Sequence, residues 1–555
     1  MRPLIASAIL AALLVQPAAA LETARELAAS GAARLALARV EQLQPRESAA
    51  PRWSEWEALR LGLLARLGEN EEVLKRVAAL PAKLPAADLR QCLLEGARAA
   101  VATGKGPEAR GYAARLLWQL DATPAEARAA RLLTIESLVL EQQGDAAFRS
   151  MLRFEQEYRP LDAAVAERFV EALLDLKQDR QAANWLARLG EASPQRLRLQ
   201  LRTGLATPDA AVAQARARTA KGGAAAYWQV IAEAAVMQKS GLLRVESLEH
   251  VLQDDESDAR RVHALAGQLW QAYLAEGQAA ANRGGLLAGD DAAWVDLASR
   301  RLGTDAVQAR ALFAYLIRNS SARDVRLGAQ FQLVFSLAQG GLDRAALRLF
   351  DDGAAGPDGI DPQARYLLGT IAESRGSFVA AARFWQGLAT PPAVAAEEWQ
   401  LRLAAAQWGA RMPEASAATV RALAKSGKPL PPPAVARAVA LAREIRDAGR
   451  PELAQETLAA LLPLAGREQS RGMLQALGEI AESGGQYARA ADYYLRAALA
   501  DGAGDALALQ ARLAAGTNLA RAGYKEDARA QFQWLIHNAK DPALREAARR
   551  ELSRL

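Results

Sequence analysis

Side chains suited to acid–base, nucleophilic or metal chemistry are few in this chain. Its three histidines, His250, His263 and His537, are far apart in sequence, and its single cysteine is Cys92. A zinc site draws about four nitrogen, sulfur or carboxylate ligands from short, fixed spacings. His250 and His263 approach each other only if the segments 242–253 and 259–276 pack closely, and no cysteine or regular carboxylate set joins them. The acidic cluster Asp254, Asp255, Glu256 and Asp258 lacks the glycine and terminal glutamate of an EF-hand loop, so helix capping and solvation explain it better than calcium. No GxSxG, HExxH or GxxxxGK[ST] pattern is present, which leaves serine-hydrolase, metalloprotease and P-loop readings without local support. Paired carboxylates for glycoside cleavage mean nothing without geometry. No catalytic, cofactor-binding or metal residue is assigned, no cofactor is expected, and the chain is not expected to be an enzyme.

The elements that hold these residues are helices. Ala, Leu, Arg, Glu and Gln dominate, and runs of Val, Ile and Thr are scarce. At 555 residues the chain exceeds what one hydrophobic core serves, so several domains or an elongated array are expected. Cys92, in LRQCLLEGARAA, lies beside leucines and reads as a buried, inert thiol. The net charge of +6 comes from arginines spread among glutamates, the pattern of a solvated face, and no basic stripe points to nucleic acid. A sequence pI of 9.4 favours at most weak association with anionic polymers.

The opening MRPLIASAILAALLVQPAAA has Arg2, an apolar run from Leu4 to Val15 and the small residues Ala18 and Ala20. The run is shorter than the roughly 20 residues needed to span a bilayer, so residues 1–20 read as a secretory signal cleaved after about Ala20. No later segment is apolar enough to cross a membrane. The mature chain is then expected in the periplasm if the source is a diderm bacterium, and a single thiol forms no internal disulfide there. Glu22 to Gln44 is expected as one long amphipathic helix.

The clearest stretch is MLQALGEIAESGGQYARAADYYLR, residues 473–496. Leu474, Leu477 and Ala481 line one helix face, Gly478 sits where a partner helix comes closest, and Gly484 and Gly485 end the helix. Tyr487, Ala490, Tyr494 and Ala497 then begin a second stripe. The order resembles the tetratricopeptide repeat, a helix-turn-helix unit of about 34 residues. It departs from the family in having Ala481 in place of the aromatic near the end of the first helix, and no closing proline. Clear copies cover about 362–392, 471–502 and 509–542. Their expected packing residues are Leu368, Gly369, Ala381, Leu477, Gly478, Ala490, Tyr494, Gly516, Ala528 and Phe532. Leu61, Gly62 and Ala65 form a partial match; pairs near 85–120, 125–159 and 162–190 keep only the hairpin period, with polar turns at Gln142 to Asp145 and Lys177 to Arg180.

Domain limits follow the helix breakers. We expect 1–20 as signal, 21–192 as degenerate helical hairpins and 193–353 as irregular helical repeats, with the segment 193–301 either a differently angled part of the array or an insertion. A tetratricopeptide-like segment at 354–428 and a C-terminal module with a capping helix at 429–555 complete the chain. The turn at 351–362 and the stiff, extended KSGKPLPPP at 425–433 mark boundaries. Core candidates in the paired helices of Arg301 to Gly353, before these boundaries, include Phe313, Leu316, Phe331, Val334, Phe335 and Leu349. Among the tryptophans, Trp118, Trp185, Trp270, Trp385 and Trp534 sit on apolar stripes and are expected in the core. Trp53, Trp56, Trp399 and Trp408 are the candidate groove aromatics.

A lone helix pair cannot bury its stripe, so pairs stack. The expected fold is an all-α, right-handed superhelical solenoid of antiparallel helix pairs, with an inner wall of first helices. The resemblance implies a non-catalytic scaffold or adaptor for protein partners, here of a cell-envelope assembly such as secretion, pilus or exopolysaccharide machinery. The alternative is a superhelix that binds polysaccharide or peptidoglycan, with or without enzymatic activity. Nucleic acid is not an expected partner.

Overall fold

In a sequence this rich in alanine and leucine, what decides the architecture is where each helix is made to stop. The computed structural model describes residues 17–219, 224–255, 259–287, 289–351, 359–392, 394–500 and 505–555. Residues 1–16 of the expected signal, Glu256 and Asp258 of the acidic cluster, and 352–358 of the expected turn lie outside the described residues. Every regular element among the described residues is a helix. By contacts the chain divides into an N-terminal unit, Met1–Val262, and a C-terminal unit, His263–Leu555.

Most hairpins turn on one residue in the left-handed region. In the N-terminal unit these are Gly68, Gly104, Gln142, Lys177, Gly204 and Lys239; in the C-terminal unit, Gly341, Gly376, Arg411, Gly449, Gly485 and Gly523. Within each unit the interval is close to the repeat length, apart from the shorter step from Lys177 to Gly204. The following amide reaches back to a carbonyl five residues earlier, as in Gln143 to Leu138 (2.9 Å), Met412 to Gln407 (2.9 Å) and Gln486 to Ala481 (2.9 Å). That bond closes a Schellman-type end and reverses the chain.

In the N-terminal unit the hairpins stack through four successive apolar clusters. The first joins Leu21, Ala24, Val40 and Trp56; the next spans Ala58 to Ala130 and includes Cys92. A third holds Phe154, Phe169, Leu173 and Trp185, and the fourth Leu201, Ala211 and Ile231. The expected single helix over Glu22 to Gln44 is instead two, Pro17–Ala29 and Ala33–Leu43, because Gly31 takes a φ of 88° and lets the second fold back on the first. Paired helices continue through Pro194–Arg202, Pro208–Thr219, Ala224–Met237 and Gly241–Asp254. After Lys177 the second helix shrinks to Asp179–Ala182 and a 3-10 turn, Ala183–Arg188.

The C-terminal unit runs as hairpins from Asp291–Arg301 to the closing helix Pro542–Leu552. The stiff linker expected at 425–433 is corrected. Pro432 and Pro433 open the helix Pro432–Asp447, whose first turn has no need of their missing N–H groups. Leu430 is buried in a cluster that runs unbroken from Leu401 to Ile480, and its N–H donates to the Leu464 carbonyl at 2.9 Å.

The repeat seams have one construction. Gly478 lies against Tyr494, where an added Cβ would stand 2.6 Å from the ring, and Gly516 lies against Phe532 at the same 2.6 Å. At Gly369 an added Cβ would fall inside the Trp385 indole. The aromatic is sixteen residues on in each case. Leu368, Ala381, Leu477, Ala490 and Ala528 are buried around these contacts.

Candidate functional site

The turn residues fix which side chains of each first helix share a face. Counting back from the turns places Gly62, Arg98, Glu136, Glu171, Arg198 and Glu233 at equivalent positions along the first helices of the N-terminal unit. This inner face carries two clefts. One, of about 510 Å³, lies between the helices Trp53–Arg66 and Ala86–Ala102, with Leu59, Gly62 and Arg66 opposite Gln91, Arg98 and Ala102. Nothing stands within 4 Å of where a Gly62 side chain would begin, so its absence keeps the cleft open. The other, of about 580 Å³, has an apolar floor of Leu132, Val139, Met151, Phe169 and Ala172.

Paired charges rim the second cleft. Arg168 pairs with Glu136, and Glu171 receives Arg261 at 2.8 Å from ninety residues further on. Arg261 also lies 3.3 Å from the buried Asp255. Further along, Arg198 bridges Asp175 (2.9 Å) and Glu233 (2.7 Å), and Arg202 bridges Asp179 (3.2 Å) and Glu233 (2.7 Å). Burial disfavours the Glu233 carboxylate, but the Arg202 hydrogen bond and both guanidinium charges outweigh it and hold its pKa below the usual range. Such a face can take apolar side chains into its floors and exchange rim ion pairs for a partner's charges.

The C-terminal unit has a second polar and aromatic assembly on its first helices. Arg402 donates to Glu373 at 2.5 and 2.8 Å and to the Tyr366 hydroxyl at 3.2 Å, and its guanidinium lies 4.9 Å from the Trp385 ring centroid. Phe331 and Phe335 stack at 5.8 Å on the preceding first helix, at the register of Tyr366 and Thr370.

Several sequence expectations move. Trp56 is 1% exposed, covered by the hairpin that Gly31 creates, and Trp399 is 0% exposed, edge-on to Trp385 at 5.1 Å. Neither faces a groove. Trp53 and Trp408 are half-buried. Trp118, expected in the core, is 70% exposed, because Ala113 and Leu116 already fill the buried side of its helix. Phe335 is exposed too, and Phe331 is only half-buried. Cys92 is fully buried and its thiol is pushed up to about 12, chiefly by burial and then by Glu57, Asp88 and Glu95. His250 stacks on Trp228 at 4.2 Å, and His537 Nδ1 is 2.7 Å from the Gln533 carbonyl. Asp254 ends a helix in place of capping the start of one.

The sequence reading missed the close packing of Gly96, where an added Cβ would stand 3.0 Å from Val77, with Tyr112 in ordinary contact at 3.5 Å and at the same sixteen-residue spacing. It also missed the inner clefts, whose small and apolar linings look like core in sequence.

Fold and register define an all-α protein of stacked helix hairpins, tetratricopeptide-like in its seams. No known protein family matches the chain, and no curated relative does. Among solved structures it is similar to the crystal structure of the APC/C hetero-tetramer Cut9–Hcn1, at 10% identity over 98% of both chains and a TM-score of 0.27. It is also similar to Naa15/Naa10 bound to HypK-THB, at 12% identity over 98% of this chain and 100% of that one, with a TM-score of 0.22. Scores this low transfer no function. No helix among the described residues is long and apolar enough to cross a membrane.

Proposed function

We propose that this protein is a non-catalytic scaffold or adaptor that holds protein partners of a cell-envelope assembly, with the inner face of its N-terminal unit as the contact surface. The observation that supports this reading most directly is the apolar-floored cleft of about 580 Å³ between consecutive first helices, ringed by ion pairs. Clefts of this kind accept the apolar side chains of a peptide or helix, while exchangeable charges at the rim select among partners. The repeat-packing residues Leu368, Gly369, Ala381, Leu477, Gly478, Ala490, Tyr494, Gly516, Ala528 and Phe532 serve this role indirectly, by setting how hairpins stack. Export to the periplasm belongs to the same proposal and is supported by the leader-like composition of residues 1–20. The five-part domain division belongs to it as well.

Val139 lines the cleft floor. Val139→Arg introduces a charge there without touching a repeat seam. Affinity capture from solubilised envelopes, followed by mass spectrometry, should recover a defined protein with the wild-type chain and lose it with Val139→Arg. Equal recovery by both would remove the inner face from the function, and recovery of no protein by the wild type would remove the scaffold reading.

A further inference from the structure

We propose that the cleft beside Trp118, on the second-helix side of the N-terminal unit, is a binding site for a uronic-acid residue of an acidic polysaccharide. The proposal stands on different residues from the inner face and does not depend on it.

The cleft has a volume of about 270 Å³ and lies between the helices Gly106–Gln119, Pro124–Leu140 and Gly144–Glu157. Leu117 and Phe154 give it an apolar floor, and Ser150 and Thr134 bring hydroxyls to its wall. Trp118 lines it with an indole that is 70% exposed. A flat, solvent-facing indole suits the C–H face of a sugar ring, which is apolar enough to stack and carries its hydroxyls at the edge.

The charges select the kind of sugar. Three guanidinium groups, of Arg110, Arg131 and Arg153, line the cleft. Arg110 is satisfied by Glu141 at 3.0 Å and the Ser137 hydroxyl at 3.3 Å. Arg131 and Arg153 share one carboxylate, Glu157, at 2.7 and 3.0 Å, through their Nε atoms. Three cations therefore face two anions. The Arg131 side chain is only 24% exposed; its buried Nε lies 2.7 Å from Glu157 but outside hydrogen-bond geometry, and its terminal nitrogens make no hydrogen bond to the described residues either. A planar guanidinium in that state matches a carboxylate in bidentate geometry. A ring with an apolar face, a hydroxyl edge and one carboxylate supplies what indole, hydroxyls and free guanidinium nitrogens each lack. A neutral hexose leaves the terminal nitrogens of Arg131 without a carboxylate, and an acidic peptide leaves the indole face without its flat partner.

The test is isothermal titration calorimetry of the full chain with trigalacturonate, its methyl ester and a short glutamate-rich peptide. Trigalacturonate should bind saturably, and esterification should weaken it by about tenfold or more, since it removes the charge Arg131 would meet. Trp118→Ala and Arg131→Gln should each weaken the acid by a similar factor, while Arg66→Gln in the inner cleft should leave it unchanged. Trp118 is exposed enough for its variant to fold; Arg153→Gln, at a 63% exposed side chain, gives a second independent readout of the charge excess. The proposal is overturned by an ester that binds as well as the acid, by a Trp118→Ala chain that binds like wild type, by tighter binding of the peptide, or by no saturable binding of trigalacturonate.

Discussion

At the scale of single residues, the strongest constraint is a side chain that is missing. Gly478 sits where a Cβ would stand 2.6 Å from Cε1 of Tyr494, a ring buried to 5% exposure whose hydroxyl is held by Glu482 at 3.1 Å. The ring cannot swing away without breaking that bond and uncovering Ala490 and Ala515, which share its cluster. Gly478→Ala should therefore cost about 1–3 kcal/mol despite alanine's better helix propensity, and Gly478→Leu more. Gly111 is the matched control: it is exposed, mid-helix and has nothing within 4 Å of a would-be Cβ. Gly111→Ala should stabilise by about 0.5–1 kcal/mol. Hydrogen exchange read helix by helix separates the two, with protection lost over Arg467–Ser483 in the first and unchanged or raised over Gly106–Gln119 in the second. Equal protection at Arg467–Ser483 in Gly478→Ala and wild type would mean that the seam does not depend on the glycine.

At the scale of elements, the hairpin depends on one backbone conformation that glycine adopts freely and other residues do not. Gln142, Lys177, Lys239 and Arg411 hold φ values of 59°, 57°, 54° and 60° at positions that Gly104, Gly376 or Gly485 fill elsewhere. A left-handed residue with a Cβ costs roughly 1–2 kcal/mol, partly offset because glycine loses more backbone entropy on folding. Each of Gln142→Gly, Lys177→Gly and Arg411→Gly should raise the stability of its unit by about 0.5–1 kcal/mol, measured as a rise in the thermal midpoint; the gains at Gln142 and Lys177 should couple, since their turns meet where Gln178 donates to Asp145 at 3.2 Å. Helix content, hairpin period and the glycine–aromatic seams at Gly369, Gly478 and Gly516 were legible in sequence, because amphipathic period and a required gap are local signals. The prolines misled at 432 and 433 because an isolated proline run is extended, whereas a proline at a helix start is well placed, and only the helix that follows decides between them. Gly31 was passed over because a lone glycine is tolerated in a helix; only the packing of Ala36 and Val40 back onto Leu21 and Ala24 makes it a turn. Trp56 and Trp118 exchanged expected roles for one reason. Period tells which side chains share a face, but not which face the next hairpin covers.

At the scale of the whole molecule, the repeat length reappears in polar contacts between neighbouring hairpins. Ser54 bonds Asp88 and Lys105 bonds Glu71, each 34 residues apart; Arg198 meets Glu233 at 35, Arg443 meets Glu479 at 36, and Arg471 meets Asp505 at 34. Charges that in sequence read as a solvated face are placed about one repeat apart, so neighbouring hairpins exchange cation–carboxylate pairs in both directions, forward as in Arg198–Glu233 and back as in Lys105–Glu71. The consequence is sensitivity to acid. Glu55 is lowered from 4.5 to about 2, first by its hydrogen bond from Arg52 and then by Arg25. Glu126 and Asp505 are lowered by backbone and side-chain hydrogen bonds at helix starts joined by Arg90 and Arg471, and Glu233 by Arg202 and Arg198. A carboxylate whose folded pKa lies below its unfolded value binds fewer protons when folded. Its contribution is thus complete above the unfolded value near 4.5 and is lost as pH falls toward the folded one. Glu444 opposes this weakly: burial raises its pKa, and protonation relieves it on acidification. Lowered groups outnumber it, so the thermal midpoint should hold from about neutral pH to about 5 and fall steadily from there to about 3. Glu233→Gln supplies the internal check. It leaves Arg198, 7% exposed, and Arg202 without their shared carboxylate, so it should cost about 3 kcal/mol at neutral pH while flattening the acid dependence of the N-terminal unit. A midpoint that stays level down to about pH 3, or a Glu233→Gln chain with the wild-type acid profile, would show that these ion pairs decorate the hairpin interfaces without holding them.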